Sequence, residues 1–233
     1  MGFMKANKNE DALKEGGDGK HITKSGIYPV TIVGAFISEG KGGDIVVDFC
    51  VNHQDKVQVL YGNLHVYNKD GGENEVGMKT LNKLLVVSDI ENLSDPVDGE
   101  LPIGPKGAMK DVSILEDLTD VECYIHVQEE YGKWNGSYTD KKVIKSFWGA
   151  DGASAAEHVK GESIGENMAN TEENYAHNVT YSDDVTKDEI DAWIKANRPK
   201  GTAGSGSSST GGNTSTPKAS FNKPKAKGGF GKK

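Results

Sequence analysis

Arginine is almost missing from this chain of 233 residues; Arg198 is the single one, and lysine carries the rest of the positive charge. Base-specific readers of DNA rely on arginine forks to guanine. A lysine-only body is suited instead to neutralising a phosphate backbone without reading bases. Cysteine is also scarce. Cys50 and Cys123 fall inside predicted strands with no CxxC or Cys/His spacing, which argues against a structural zinc and for small buried apolar side chains. No apolar run approaches the ~20 residues of a membrane span. Met1–Lys20 is polar and charged, without the apolar stretch of a signal peptide, so a cytoplasmic protein with no membrane contact is expected. Catalytic patterns are lacking too. Gly40–Gly43 and Gly71-Gly72 have no Lys-Ser/Thr of a P-loop, Asp70–Glu75 lacks EF-hand spacing, and the six histidines form no HExxH or HxH pattern. No enzyme, metal or cofactor is expected.

What the chain does have is a strong charge asymmetry. Of its 27 basic residues, eight lie after Asn197 with no acid among them. That leaves 19 basic against all 35 acidic residues in positions 1–197, a net charge of −16 for the body. An acidic body with a basic tail points to an anionic polymer, or the body itself, as the partner of the tail. The tail, 199–233, is Gly/Ser/Lys-rich with Phe221 and Phe230 isolated in it, a composition that buries too little to order itself. Residues 1–24 read as a flexible N-terminal arm for the same reason.

Between Ser25 and Trp148 the order is three strands, a helix and two more strands. Tyr28, Val30 and Ile32 alternate in a first strand, Gly26–Ser38; Ile45, Val47, Phe49 and Val51 share one face of a second, Asp44–Asn52. In the third, Lys56–Asn68, Val57 and Val59 have one parity while Leu64 and Val66 have the other. A phase change near Leu60–Gly62 reconciles them, and a strand glycine often marks a bulge. Met78, Leu81, Leu84 and Leu85 recur at helical spacing in Val76–Ser88. The stretch Ile90–Met109, with Pro96, Pro102 and Pro105, reads as irregular. Strands four and five follow at Val121–Tyr131 and Ser137–Trp148. This is a mainly β chain, and the order is that of a five-stranded OB-type barrel over residues 25–150, with the helix between strands 3 and 4. Beyond it lies an acidic helical segment, 151–198, with a short helix at Ala153–Val159 and a better one at 183–197, where Val185, Ile190, Trp193 and Ile194 form a stripe.

Such barrels bind single-stranded nucleic acid or sugars. Single strands are gripped by a basic groove with aromatic faces, each stacked base contributing roughly 1–3 kcal/mol whatever its identity. The rings expected to stack are Tyr61, His65, Tyr67, Trp134, Tyr138 and Trp148; the expected phosphate contacts are Lys133, Lys141, Lys142 and Lys145. Lys133–Trp148 is the densest cluster, with Asp140 as the only acid inside it. The competing expectation is a protein-interaction or structural module in which these rings fill the barrel. No heptad or other assembly signal settles monomer against dimer.

Three stretches carry a resemblance: Ser25–Ile32 (SGIYPVTI); Tyr67–Gly72 with Gly77–Leu85 (GMKTLNKLL); and Glu129-Glu130-Tyr131 leading to Lys142–Trp148 (KVIKSFW). Together, and with Gly152–Glu157 after the last strand, they resemble a family of bacteriophage single-stranded DNA-binding proteins of the OB type. The resemblance implies a non-enzymatic protein of the host-cell cytoplasm that coats single-stranded DNA in replication, recombination or repair. Its implied partners are the DNA and a phage polymerase, helicase or recombinase. Better-known bacterial proteins of this function end in an acidic tip, whereas this chain ends in Gly-Gly-Phe-Gly-Lys-Lys.

Overall fold

The computed structural model describes residues 21–40, 42–182 and 184–197. The basic tail and most of the N-terminal arm therefore lie outside the described residues. Of the arm, His21–Lys24 is described, and Ile22 is buried in the core with its N–H donated to Gln58 Oε1 at 2.9 Å.

The fold is mainly β. Eight strands form one sheet, antiparallel except for its last member. The first strand, β1 (Gly26–Glu39), is the hub. One edge pairs with β2 (Ile45–His53). The other edge is shared, its first half by β6 (Val121–Trp134) and its second by β5 (Lys110–Leu115). The third strand, β3 (Lys56–Tyr67), joins β2 through a two-residue loop with Gln54 and Asp55 both at positive φ, a turn whose twist matches the strands it joins.

A bulge lies where one was expected in β3, but it inserts two extra residues and leaves the phase unchanged. Phe49 stands opposite Leu60 and Val47 opposite Leu64, so Tyr61, Gly62 and Asn63 together face Asp48. Gly62 sits at φ +66°, where a β-carbon would be strained. The buried Asp48 carboxylate accepts from the Gly62 N–H at 2.6 Å, the Asn63 N–H at 3.3 Å and the Ser38 hydroxyl at 2.7 Å. Those bonds replace the ladder that the bulge breaks. Leu60, Leu64 and Val66, all of one parity, reach the core, whereas Val57 is exposed and Val59 packs with Phe36 and Cys50 on the other face, so the expected phase change is corrected.

The helix α1 (Glu75–Val87) buries Leu81 and Leu84 against that core, as the periodicity predicts. Asn74 caps it by accepting the Gly77 N–H at 3.1 Å. A β-carbon on Gly77 would fall 1.9 Å from the His65 carbonyl oxygen, so glycine there lets the first turn rest directly on the β3 backbone.

Three further expectations are corrected. The stretch 90–109 is not simply irregular: β4 (Val97–Leu101) pairs with β5, and this hairpin packs Leu101 with Phe36 and Cys50 as a second small core. Nor is the acidic segment limited to the two expected helices. Beyond β7 (Ser137–Gly149), helices α2 (Ala155–Lys160) and α3 (Glu166–Asn174) are tied together by the buried Glu157, which closes a capping box with Ser154 and accepts the Asn167 N–H at 2.7 Å. Strand β8 (Val179–Tyr181) then pairs parallel with β6, and helix α4 (Lys187–Asn197) follows, starting later than the expected position 183, which lies outside the described residues.

Lastly, among the described residues the sheet is open and no closed barrel is formed. Among the described residues β3 pairs only with β2, and β7 only with β6. Where a closed barrel would have a ladder between β3 and β7, the Ile144 N–H is satisfied by the Asn63 side chain at 2.7 Å. The β3 bulge turns Asn63 inward, and its amide takes the place of a strand partner.

Candidate nucleic-acid interface

Two consequences of sequence place the expected site residues. The first is the turn Asn135-Gly136, both at positive φ, which joins β6 to β7 as a two-residue hairpin loop. That loop fixes the register, setting Glu129 opposite Lys142, Glu130 opposite Lys141 and Lys133 opposite Tyr138. The second is a bulge beyond it: His126 faces Ser146 but Val127 faces Ile144, leaving Lys145 as the extra residue.

The seam between β3 and β7 is a groove of about 320 Å³. Asn63, Leu64 and His65 line one wall, Val143, Ile144 and Lys145 the other, and Asn74, Val76, Gly77 and Thr80 of the α1 end close it. Of the ten expected residues, His65 and Lys145 are brought together here. Tyr67 is exposed two residues beyond His65 on the same strand. His65 is held by a short hydrogen bond from its Nδ1 to Asp44 Oδ2, spanning the β1–β2 turn.

The lysines do not stand alone. Lys145 donates to Glu130 Oε1 at 2.6 Å, and Lys141 lies 3.6 Å from the other oxygen of that carboxylate. Burial alone would raise the Glu130 carboxyl, but Lys145 and Lys141 outweigh it and hold it below its ordinary value. Lys142 bridges Asp140 at 2.8 Å and Glu129 at 3.5 Å. Counting only Asp140 against the cluster therefore understated the opposing charge. The Asn-Gly loop carries the missing signal, because a two-residue loop there sets Glu129 and Glu130 across from Lys142 and Lys141.

The opposite face of the hairpin is covered. Lys133 donates to the Asp184 carbonyl at 2.9 Å, lies 3.5 Å from Glu189 and stands 5.0 Å above the Tyr138 ring. Tyr138 donates to Glu189 Oε1 at 3.3 Å and packs on Trp193 with centroids 6.0 Å apart. Tyr131 stacks on Tyr181 of β8 at 6.0 Å.

The remaining rings divide. Trp134, at the hairpin tip, is 56% exposed. Tyr61 is 53% exposed, although its hydroxyl donates to the Ile103 carbonyl at 3.0 Å and its edge meets Phe36. Trp148 is the correction: it is 1% exposed, and its indole N–H donates to Asn167 Oδ1 at 3.0 Å. It lies on the face of β7 opposite the core residue Phe147, where α3 reaches it through Asn167 and the His126 ring packs 6.5 Å from it. No face is left for a base.

Burial pushes the Cys50 thiol up to about 11 and Cys123 up to about 12, where neither is a ready thiolate. Among the described residues no three His, Cys, Asp or Glu side chains cluster as a metal site. Also among the described residues, no helix is long and apolar enough to cross a membrane. In comparison with known proteins, no family model matches the chain and no curated protein matches it.

Proposed function

We propose that the protein binds single-stranded DNA without sequence preference and without catalysis, in phage DNA replication, recombination or repair. Strands β1, β2, β3, β6 and β7, with α1 between the third and the fourth, are then an OB-type frame that opens at the β3–β7 seam. The carrying observation is the seam groove, where His65 and Lys145 line opposite walls beside Leu64, Val143 and Ile144, and the exposed Tyr67 extends the line. A base would lie along those apolar side chains while Lys145 and Lys141 exchange the Glu130 carboxylate for phosphate. At Lys141, whose side chain is exposed, that exchange is cheap, since exposed ion pairs contribute only about 0–1 kcal/mol. Exposed Trp134 and Tyr61 add sequence-tolerant stacking surfaces.

The test is titration of the full chain with fluorescent oligo-dT and with duplex of equal length. Binding should favour the single strand and weaken with salt, with a log–log slope near −1.4 if two lysines displace counterions. Equal affinity for duplex, or no binding at low salt, would overturn it. A second function, a protein-interaction module, is favoured by one observation: each of the four expected lysines already has a carboxylate neighbour. It predicts no oligonucleotide binding at any salt concentration.

A further inference from the structure

We propose that the outer face of the β6–β7 hairpin is a second single-strand subsite, and that β8 and α4 occupy it in cis as a displaceable anionic cover; this rests on the single-strand reading above. What the cover presents to that face is chemically what a nucleotide would present. Glu189 brings a carboxylate to Lys133 and to the Tyr138 hydroxyl, and Trp193 sets its ring beside Tyr138 at a tilt of 44°. Tyr181 stacks on Tyr131 just before it. A phosphate would replace the carboxylate, and bases would replace the two rings.

The cover is also weakly held. It consists of a three-residue strand and an 11-residue helix. A helix of that length is marginal in water on its own, so α4 depends on docking. Its buried anchors are only Val185 and Ile190, and its polar contacts lie at the surface, where salt weakens them. Positions 182–197 carry five acids and two bases, so a polyanion approaching Lys133 repels the cover as it competes with it.

If the face is covered about nine-tenths of the time, its apparent affinity is lowered about tenfold. In full-length protein, Glu189→Gln with Trp193→Ala should bind oligo-dT about tenfold tighter than wild type, and adding Lys133→Ala to that variant should remove the gain. In parallel, hydrogen exchange of residues 184–197 in the wild-type protein should rise on saturation with oligo-dT, a readout that needs no variant to fold. Wild type that binds oligo-dT while the double variant gains nothing and exchange stays flat or falls would overturn the cover and leave the seam groove standing. Failure of both proteins to bind would remove the single-strand reading and this proposal with it.

Discussion

Replacing Asp48 with alanine tests whether one buried carboxylate holds the β3 bulge. Its two oxygens satisfy two backbone N–H groups of the bulge and the Ser38 hydroxyl, at 2% exposure. Alanine leaves the Gly62 and Asn63 N–H groups without acceptors in a site closed to water. Each orphaned donor costs about 1–3 kcal/mol, and the lost volume adds to that. A total near 3 kcal/mol is expected, or a fall in Tm of about 6–12 °C for a domain of this size. Asparagine keeps one acceptor oxygen for the bulge, and the Ser38 hydroxyl can rotate to accept from its amide, so Asp48→Asn should lose only about 1 kcal/mol. Urea unfolding followed by tryptophan fluorescence measures both variants, and an unchanged m-value would confirm that stability alone has moved. The reasoning fails if alanine lies within about 0.5 kcal/mol of wild type, or if asparagine costs as much as alanine.

Further outcomes follow from the same contacts. Gly77→Ala puts a methyl group 1.9 Å from the His65 carbonyl, so α1 must lift from β3; a loss above about 2 kcal/mol is expected by urea unfolding. Trp148→Phe removes the hydrogen bond to Asn167, which should cost about 1 kcal/mol in thermal unfolding and leave oligo-dT affinity within twofold. His126 is buried, and its burial lowers its pKa below the unfolded value of about 6.5, so the unfolded state takes up the proton first. Stability should therefore be full above pH 6.5 and decline below it as the pH falls through the folded pKa; His126→Gln should flatten that slope in pH-dependent urea unfolding. Tyr67→Ala should weaken oligo-dT binding about tenfold in fluorescence titration while leaving Tm within 3 °C.

The strand order, the helix and the β3 bulge were legible because each is written locally. A glycine interrupts β3 between Val59 and Leu64, and Met78, Leu81, Leu84 and Leu85 keep helical spacing; the phase change was misjudged because Val57 and Val59 were assigned to the core face, which they do not line. The β4–β5 hairpin was not legible. Its strands have five and six residues, too short for alternation to stand out, and three prolines flank or interrupt the region. Burial of Trp148 escaped for another reason: the bulge at Lys145 and the contact with Asn167 of α3 are tertiary facts that parity along β7 does not contain. The lysine–carboxylate pairs could have been foreseen, because Asn135-Gly136 dictates which residues stand opposite. The open seam could not, since it depends on a buried amide, Asn63, capping a strand from across the sheet.

The central claim is that the β3–β7 seam grips an unpaired strand. Chemical-shift perturbation of the full chain on adding oligo-dT tests it most directly. The amides of His65, Tyr67, Val143 and Lys145 should shift together and recover as salt is raised. Shifts confined to other surfaces, or none at low salt, would contradict it.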